Sequence, residues 1–328
     1  MEINYHVTLI SDNFYDFTTN VTTNVTTDVT TNVTTNVTTN VTTNKVTFVR
    51  DLIGGKSGNR VIEVQIGIKN YVLKIIKYNE KNKAEINNEI DKHLEFIKIF
   101  SEYDYIPCPR LYSYGKLNGS IKGLYVLMEY FNPPYELYEY ITSICSGSSD
   151  TEELYNILIQ LFYIIGMIQI NDLTHCSLHP RNLILVKSKS QKINLYPLLG
   201  KDIYFMTGKF LLKVIDFGST NGKDCKKQKK TVGWFNDLKL NCGGFPDIID
   251  FIKAKLNIDT ESNNDINYFC RMIELFSLVD KSFKKIDLDY LWEQSKQIYK
   301  INKESSKTLS RYKKKVFRKI FYQVFIID

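Results

Sequence analysis

The polar stretch LTHCSLHPRN (173–182) runs directly into the apolar segment LILV (183–186), and LLKVI (211–215) runs directly into Asp216-Phe217-Gly218. Both apolar segments are short, which predicts two buried strands that each have polar residues at one end. An acid that ends a buried strand and is followed by a glycine is well placed to hold Mg²⁺. The chemistry of this chain is therefore expected at Asp216 and in the loop before residue 183.

A glycine-rich turn, IGGKSG (53–58), separates two predicted strands. Gly54, Gly55 and Gly58 would let backbone N–H groups approach a phosphate without interference from side chains. Lys74 follows inside the apolar strand YVLKII (71–76), where its position after the glycine turn favours a phosphate-directed lysine over a solvated edge lysine. Such a lysine needs a fixed counter-charge, for which the next helix offers Glu85 and Glu89; we favour Glu89, which directly precedes the apolar Ile90.

The hydrophobic periodicity predicts an α+β protein with a small β-rich N-terminal part and a larger, mostly helical C-terminal part. Predicted strands cover residues 46–52, 60–68, 71–77, 111–114 and 123–130. Predicted helices cover residues 83–100, 152–171, 245–256 and 265–279, and much of 287–325.

The order of these motifs resembles the signature set of eukaryotic protein kinases: glycine loop, strand lysine, helix glutamate, an H-x-x-L-x-x-x-N loop and D-F-G. The resemblance covers roughly residues 46–280 and implies a two-lobed protein-kinase-like fold, with an N-lobe at 45–131 and a C-lobe at 132–328. Asn182 and Asp216 are 34 positions apart, which implies an insertion near 187–210. The loop is also similar to the D-L-H-P-x-N loop of aminoglycoside and choline kinases.

The resemblance implies ATP and Mg²⁺ as cofactors and gives individual residues a role. Gly54, Gly55 and Gly58 would cover the ATP phosphates, and Lys74 would contact the α- and β-phosphates and pair with Glu89. Met128 would be the gatekeeper, and the backbone from Glu129 to Phe131 would bind adenine. Asn182 and Asp216 would bind Mg²⁺, and His175 would support the loop.

The chain departs from the kinase pattern at the position of the catalytic-loop aspartate, which Ser177 occupies. A serine cannot hold the substrate hydroxyl with a carboxylate, and the loss of general-base help costs about 10²–10⁴-fold in rate. His179 or His175 could replace the base only if its ring reached the acceptor.

Further departures concern the rest of the pattern. Cys176 replaces the usual arginine, Ile53 stands where the first glycine is expected, and no A-P-E follows D-F-G. The helix aspartate that anchors the catalytic loop could be Asp237 or Asp265, of which we favour Asp265.

Residues 1–17 form an N-terminal segment, and residues 18–44 form a Thr-Thr-Asn-Val repeat. A period of four fits neither a strand nor a helix, so we interpret the repeat as a low-complexity insertion without a catalytic role, although stacked strands are an alternative. The opening residues Met1–Asn4 include an acid and no apolar run, so we expect no secretory leader. The apolar stretch 154–170 is short for a bilayer and predicts a buried helix, so no membrane partner is expected.

The net charge of +7 is concentrated in two basic segments. Residues 223–230 carry five Lys and one Asp, and residues 301–328 carry eight Lys or Arg and two acids. The first is typical of a solvated loop, for which contact with an acidic peptide or a nucleic acid is the alternative. The second fits an amphipathic final helix packed on the large lobe, and a salt-sensitive RNA or DNA affinity would be needed to indicate nucleic-acid binding. The six cysteines are widely spaced, which favours reduced thiols in a cytosolic compartment.

Three functions remain open at this point. The first is a serine/threonine protein kinase with Ser177 at the base position, acting on a protein substrate. The second is a pseudokinase that binds nucleotide and acts as a binding module for a partner, and the third is a small-molecule phosphotransferase. The Asn-, Lys-, Ile- and Tyr-rich composition and the repeat also look like kinase-like proteins of large AT-rich DNA viruses, which would place the protein in the host-cell cytoplasm.

Overall fold

The structure is a computed structural model of the 328-residue chain. It describes residues 2–11, 14–23, 37–38, 42–52, 60–77, 83–118, 123–132, 135–145, 150–220, 265–279 and 309–326, with the short stretches 283, 285–287, 289–291 and 293–294. The glycine turn at 53–58, the predicted helix at 245–256 and the basic segment at 223–230 lie outside the described residues.

The chain forms two compact units that alternate along the sequence. The first unit comprises Met1–Asn88 and Pro109–Phe131, and the second comprises Glu89–Cys108 and Asn132–Asp328. Helix α1 (Lys83–Phe100) therefore contributes most of its length to the second unit.

The first unit is built on one eight-stranded sheet with the order β1-β7-β8-β6-β5-β4-β2-β3. Its strands are β1 (Glu2–Ser11), β2 (Phe14–Thr23), β3 (Val37–Thr38), β4 (Thr42–Leu52), β5 (Arg60–Ile66), β6 (Lys69–Lys77), β7 (Leu111–Asn118) and β8 (Gly123–Glu129). Alternating apolar residues place one face of β5 and β6 in a core that includes Ile62, Val64, Leu73 and Ile75. Hydrogen bonding to β5 and β8 makes β6 an interior strand.

Part of the Thr-Thr-Asn-Val repeat is extended. The repeat residues 18–23 belong to β2, and residues 42–44 belong to β4, where Thr18 pairs with Thr43 and Thr19 with Thr42. Threonine and valine have β-branched side chains that favour extended backbone. The two ends of the repeat therefore form parts of strands in the sheet, which agrees with the alternative interpretation of this segment as strands.

The described residues of the second unit include six α-helices with complete bounds and five short strands. The helices are α1, α2 (Leu137–Cys145), α3 (Thr151–Ile170), α4 (Tyr196–Leu199), α5 (Asp265–Val279) and α6 (Leu309–Phe325). The strands are β9 (Tyr135–Glu136), β10 (Leu183–Lys187), β11 (Lys192–Asn194), β12 (Tyr204–Met206) and β13 (Phe210–Val214). The chain is thus an α+β protein, as the periodicity predicts.

Helix α3 is the centre of the second unit. Asp150 caps its N-terminus by accepting a hydrogen bond from the backbone N–H of Glu153. Its residues 161–170 are all buried, and the helix packs against α5 and α6, with the ring of Phe162 5.5 Å from Phe269 and 5.7 Å from Phe317. Residues Glu152–Ile170 are long and apolar enough to cross a membrane, but 83% of that stretch is buried inside the protein, as expected for a core helix.

The predicted insertion forms a small substructure between β10 and β13. It contains the β11–β12 hairpin and the short helix α4. Two polar side chains of α3 hold the segment where this substructure leads into β13. The Glu153 carboxylate accepts hydrogen bonds from the backbone N–H groups of Lys209 and Phe210. The Gln160 side-chain amide hydrogen-bonds the backbone of Phe210 and Leu212. These bonds satisfy backbone groups that would otherwise be buried without partners.

Candidate functional site

Asn182 and Asp216 are neighbours because of the register between β10 and β13. Leu183 pairs with Val214, so the residues just outside this pair lie at the same end of the antiparallel ladder. The backbone N–H of Ile215 donates to the carbonyl of Asn182 at 3.0 Å, which extends the ladder by one step. The two residues that the sequence singled out for Mg²⁺ therefore lie together in the second unit.

Two residues of the site adopt a left-handed backbone conformation that non-glycine residues rarely take. Asp216 has φ 64° and Cys176 has φ 65°. The Asp216 carboxylate accepts from the backbone N–H of Gly218 at 3.4 Å, at the start of the 3-10 turn Phe217–Ser219. Strained backbone of this kind concentrates at functional sites, where the surrounding structure has to hold it.

The cysteines differ in their chemical state. Cys108 and Cys270 are buried and carry free thiols. Cys176 is disulfide-bonded, which differs from the expectation of reduced thiols at this position.

The Asn182 side chain is oriented by Ser177. Its Nδ2 donates to the Ser177 carbonyl oxygen at 3.0 Å and lies 3.3 Å from the Ser177 Oγ. Since Nδ2 is directed at the loop, Oδ1 is the atom that Asn182 presents in the other direction. The half-buried hydroxyl of Ser177 thus lies beside Asn182, at the position where the kinase pattern has a carboxylate.

The loop is anchored by Asp265, the first residue of α5. The carboxylate of this fully buried residue accepts from the backbone N–H of His175 at 2.7 Å and from that of Cys176 at 2.9 Å. Burial raises the pKa of Asp265 to about 6, and the hydrogen bonds from the two N–H groups oppose that rise. The prediction that Asp265 anchors this loop is confirmed, while Asp237 lies outside the described residues.

Gln169 supports the anchor from the last turn of α3. Its side chain hydrogen-bonds Asp265, and its Nε2 donates to the Thr174 hydroxyl at 3.1 Å. The backbone carbonyl of Gln169 in turn accepts from the buried ammonium of Lys313, which also donates to Asp172 at 2.8 Å. A chain of hydrogen bonds therefore runs from α6 through the end of α3 to the loop.

His175 is enclosed by aromatic rings. Its imidazole lies 5.2 Å from the ring of Phe217, and His93 of α1 stacks on the same Phe217 ring at 4.2 Å. Burial lowers the pKa of His175 to about 4, with Asp216 opposing the shift. Because His175 is fully buried, its ring cannot reach a substrate hydroxyl, which leaves it a supporting role.

His179 differs from His175 in exposure. It is half-buried, and burial lowers its pKa, with Asp216 opposing this shift and Arg181 adding to it. A neutral imidazole at neutral pH can accept a proton. Since His175 is excluded by its burial, His179 is the histidine that could replace the missing base.

Glu89 faces the D-F-G segment within the second unit. A Cβ atom added at Gly218 would lie 3.5 Å from the Glu89 Oε2. The side chain of Glu85 lies outside the described part of the structure.

The remaining predicted site residues belong to the first unit. Lys74 lies half-buried on β6 between Val61 of β5 and Val126 of β8, so it is on an interior strand. Met128 and Glu129 end β8, and Phe131 is buried. The pairing of Lys74 with Glu89 and the roles of the three glycines remain predictions.

The donor set at Asn182 and Asp216 fits Mg²⁺ bound together with a phosphate. Mg²⁺ usually takes one or two protein oxygens and completes its octahedron with waters and substrate phosphates. The Asp216 carboxylate and the Asn182 Oδ1 supply such oxygens. Among the described residues no group of three or more His, Cys, Asp or Glu could form an all-protein metal cage, and this mode of binding does not require one.

Several supporting residues were not assigned a role from the sequence. Gln160 and Gln169 were visible only as polar residues in an apolar helix, and His93 only as a polar residue four positions after Glu89. A buried polar side chain needs partners, so glutamines within a core helix are the signal that could have pointed to these contacts. Lys313 gave no such signal, because it lies within a run of three lysines.

No protein-family model matches this chain, and no curated protein matches it.

Proposed function

We propose that this chain is a protein-kinase-like protein with a two-lobed fold, which binds ATP with Mg²⁺ and transfers the γ-phosphate to serine or threonine hydroxyls of a protein substrate. The observation that carries the proposal is the joint position of Asn182 and Asp216 beside a loop whose backbone is held by the buried Asp265. A motif match in the sequence alone would not require these residues to meet.

The chemistry assigned to the described residues is mainly positioning and charge stabilisation, on which phosphoryl transfer depends. Asp216 and the Asn182 Oδ1 would hold the Mg²⁺, which screens the charge of the phosphates. Asn182 also holds the Ser177 hydroxyl, which would orient the acceptor by a hydrogen bond, and His179 would accept the acceptor's proton. Lys74, Glu89, Met128, Glu129, Phe131 and the three glycines keep the ATP roles that the kinase resemblance implies.

A pseudokinase that binds nucleotide without transfer is the second candidate function. It is favoured by the neutral side chain of Ser177, since this position gives the acceptor hydroxyl no anionic partner. Such a protein would act as a binding module for a protein partner. The small-molecule phosphotransferase has no specific support, because it needs the same missing carboxylate.

The test measures Mg·ATP-dependent thermal stabilisation and γ-phosphate transfer to a generic protein substrate with the full chain. Asp216→Asn removes the charge but keeps a side chain that tolerates the left-handed backbone, and Ser177→Asp restores a carboxylate. Asp202→Asn and Ser190→Asp are matched controls, because both residues are exposed and lie outside the site.

Transfer by the native protein that is lost in Asp216→Asn and retained in both controls establishes the kinase. Stabilisation without transfer, with transfer gained in Ser177→Asp, establishes the pseudokinase. If ATP neither stabilises the native protein nor is turned over, both functions are refuted.

A further inference from the structure

The exposed side of α6 carries cations that the proposed function does not use. Arg311, Lys315, Arg318 and Lys319 recur at helical spacing on one exposed side, here called the α6 basic face. Five residues on the opposite side are buried in the core of the second unit: Val316, Phe317, Ile320, Phe321 and Val324. The core contacts therefore fix the helix, so the basic face is presented on a rigid element.

Within the part of the chain that the structure describes, no neighbouring acid neutralises the charge of the α6 basic face. Helix α6 contains no Asp or Glu. The buried Lys313 forms an ion pair with the carboxylate of Asp172. None of the four cations on the face pairs with an acidic side chain among the described residues. Uncompensated cations on a rigid surface leave a positive potential that attracts a polyanion.

Lys201 extends the positive surface beyond α6. Its ammonium donates to the Tyr322 hydroxyl at 2.7 Å, and α4, just before Lys201, packs against α6. The pKa of the Tyr322 phenol is lowered, first by the hydrogen bond from Lys201 and further by Arg318. The cationic surface thus reaches from Arg311 to Lys201.

An exposed aromatic ring accompanies these cations. Tyr312 is 49% exposed and lies one helical turn from Lys315 on the same side of α6. An exposed tyrosine beside cations is the combination that single-stranded nucleic acids bind, with bases stacked on rings and phosphates on cations.

We propose that the α6 basic face, with Lys201 and Tyr312, binds single-stranded nucleic acid without sequence specificity. The cations contact phosphates about one helical turn, or about 5.4 Å, apart, and Tyr312 stacks a base. An anionic membrane fits less well, because the apolar side of α6 is buried in the core and is not available for insertion. This binding goes beyond the proposed function and does not depend on ATP.

The test is fluorescence anisotropy of the full-length protein with a labelled single strand of about 20 nucleotides, titrated between roughly 50 and 200 mM salt. The charge variant is Arg311→Gln, Lys315→Gln and Lys319→Gln combined. If each lost cation removes one phosphate contact, the slope of log affinity against log salt falls by about 2, and the affinity at 0.1 M salt falls roughly 100-fold. Tyr312→Ala is expected to weaken binding about tenfold.

The matched control changes three exposed lysines outside the face, Lys69→Gln, Lys98→Gln and Lys116→Gln, with the same change in net charge. This control is expected to bind like the native protein. Circular dichroism and the thermal midpoint verify folding of each variant. Should the charge variant fail to fold, ultraviolet cross-linking of the single strand to the native protein, with peptide mapping, replaces it, and the expected adduct is at Tyr312.

Four results would overturn the proposal. The first is that the native protein shows no salt-dependent binding, and the second is that the charge variant and its control lose equal affinity. The third is that a duplex binds more tightly than the single strand, and the fourth is that the protein binds anionic vesicles but not the oligonucleotide. A loss of binding confined to a Lys226→Gln, Lys227→Gln and Lys229→Gln variant would likewise assign the affinity to residues 223–230 and refute the role of α6.

Discussion

The buried carboxylate of Asp265 accepts a hydrogen bond of 2.7 Å from the backbone N–H of His175, which lies 90 positions earlier in the chain. A second bond from the N–H of Cys176 holds the loop at a residue with a left-handed backbone. Helix α5 thereby fixes the conformation from which Ser177 and Asn182 project. The position of the candidate site thus depends on one buried acid.

Replacement of Asp265 by Asn is expected to destabilise the protein by about 1–3 kcal/mol, because one of the two backbone N–H groups loses its acceptor in a buried place. Urea unfolding measures the change, and Asp202→Asn at an exposed position is the control. An Asp265→Asn variant as stable as the control would contradict the anchoring role.

The protein is expected to lose stability on acidification through His175. Its pKa is lowered by burial from 6.5 to about 4, so between these pH values the unfolded chain binds a proton at this imidazole and the folded chain does not. Stability therefore falls by about 3 kcal/mol as the pH drops through this window. His175→Leu removes the effect, and a flatter unfolding free energy between pH 6.5 and 4 would verify it. An unchanged pH profile would show that His175 is not the group responsible.

Protonation of Asp265 has the opposite effect on stability to protonation of His175, over an overlapping pH range. Its pKa is raised from 3.8 to about 6, so the folded chain binds a proton there before the unfolded chain does. This group adds stability as the pH falls through 6, and the gain is complete near 3.8. Asp265→Asn is expected to make acid destabilisation steeper than in the native protein. A shallower pH profile in this variant would exclude the raised pKa.

Gly166 is expected to be required where α3 passes α4. A Cβ atom there would lie 2.5 Å from the Leu198 side chain, closer than real contacts allow. Gly166→Ala should therefore destabilise by about 1–3 kcal/mol through overpacking. Combining it with Leu198→Ala removes the clash, so Gly166→Ala should be neutral or stabilising in that background, because alanine is the better helix former. Additive effects in the double variant would contradict this account of the packing.

Lys313 is expected to matter more than its ion-pair partner. Its side chain is 1% exposed, whereas that of Asp172 is 59% exposed. Lys313→Met removes a buried hydrogen bond from a charged donor to the Gln169 carbonyl, which keeps the backbone N–H of Asp172, and should cost about 1–3 kcal/mol. Asp172→Asn should cost less, since a solvated carboxylate contributes little. Thermal unfolding of both variants at low and high salt gives the comparison. The reverse order of the two effects would show that the ion pair is the main contribution.

The regular parts of the fold could be predicted because their patterns are local. Helix α1 spans Lys83–Phe100 and α5 spans Asp265–Val279, as their apolar spacing indicates. The kinase resemblance implies a helix aspartate that anchors the loop, and Asp265 in the stretch DINYF (265–269) is the favoured candidate over Asp237.

The supporting contacts could not be predicted, because they join residues far apart in sequence. The hydrogen bond from Lys313 to Gln169 spans 144 positions, and nothing near either residue marks it. The ends of the repeat also differ from expectation, because a period of four carries no strand signal, yet Thr18 and Thr43 pair across the sheet. In both cases the partner across the fold, rather than the local pattern, decides the structure.

The alternation of the two units along the chain has a consequence for synthesis on the ribosome. Phe96 belongs to the second unit, and its ring packs 5.0 Å from Phe217. Phe96 is made about 120 residues before Phe217, which at roughly 5–20 residues per second is a delay of about 6 to 24 seconds. During that time, apolar residues of α1 are complete but have no core to enter. The nascent chain should therefore offer a chaperone-binding segment at residues 89–108 until the β13 region has emerged.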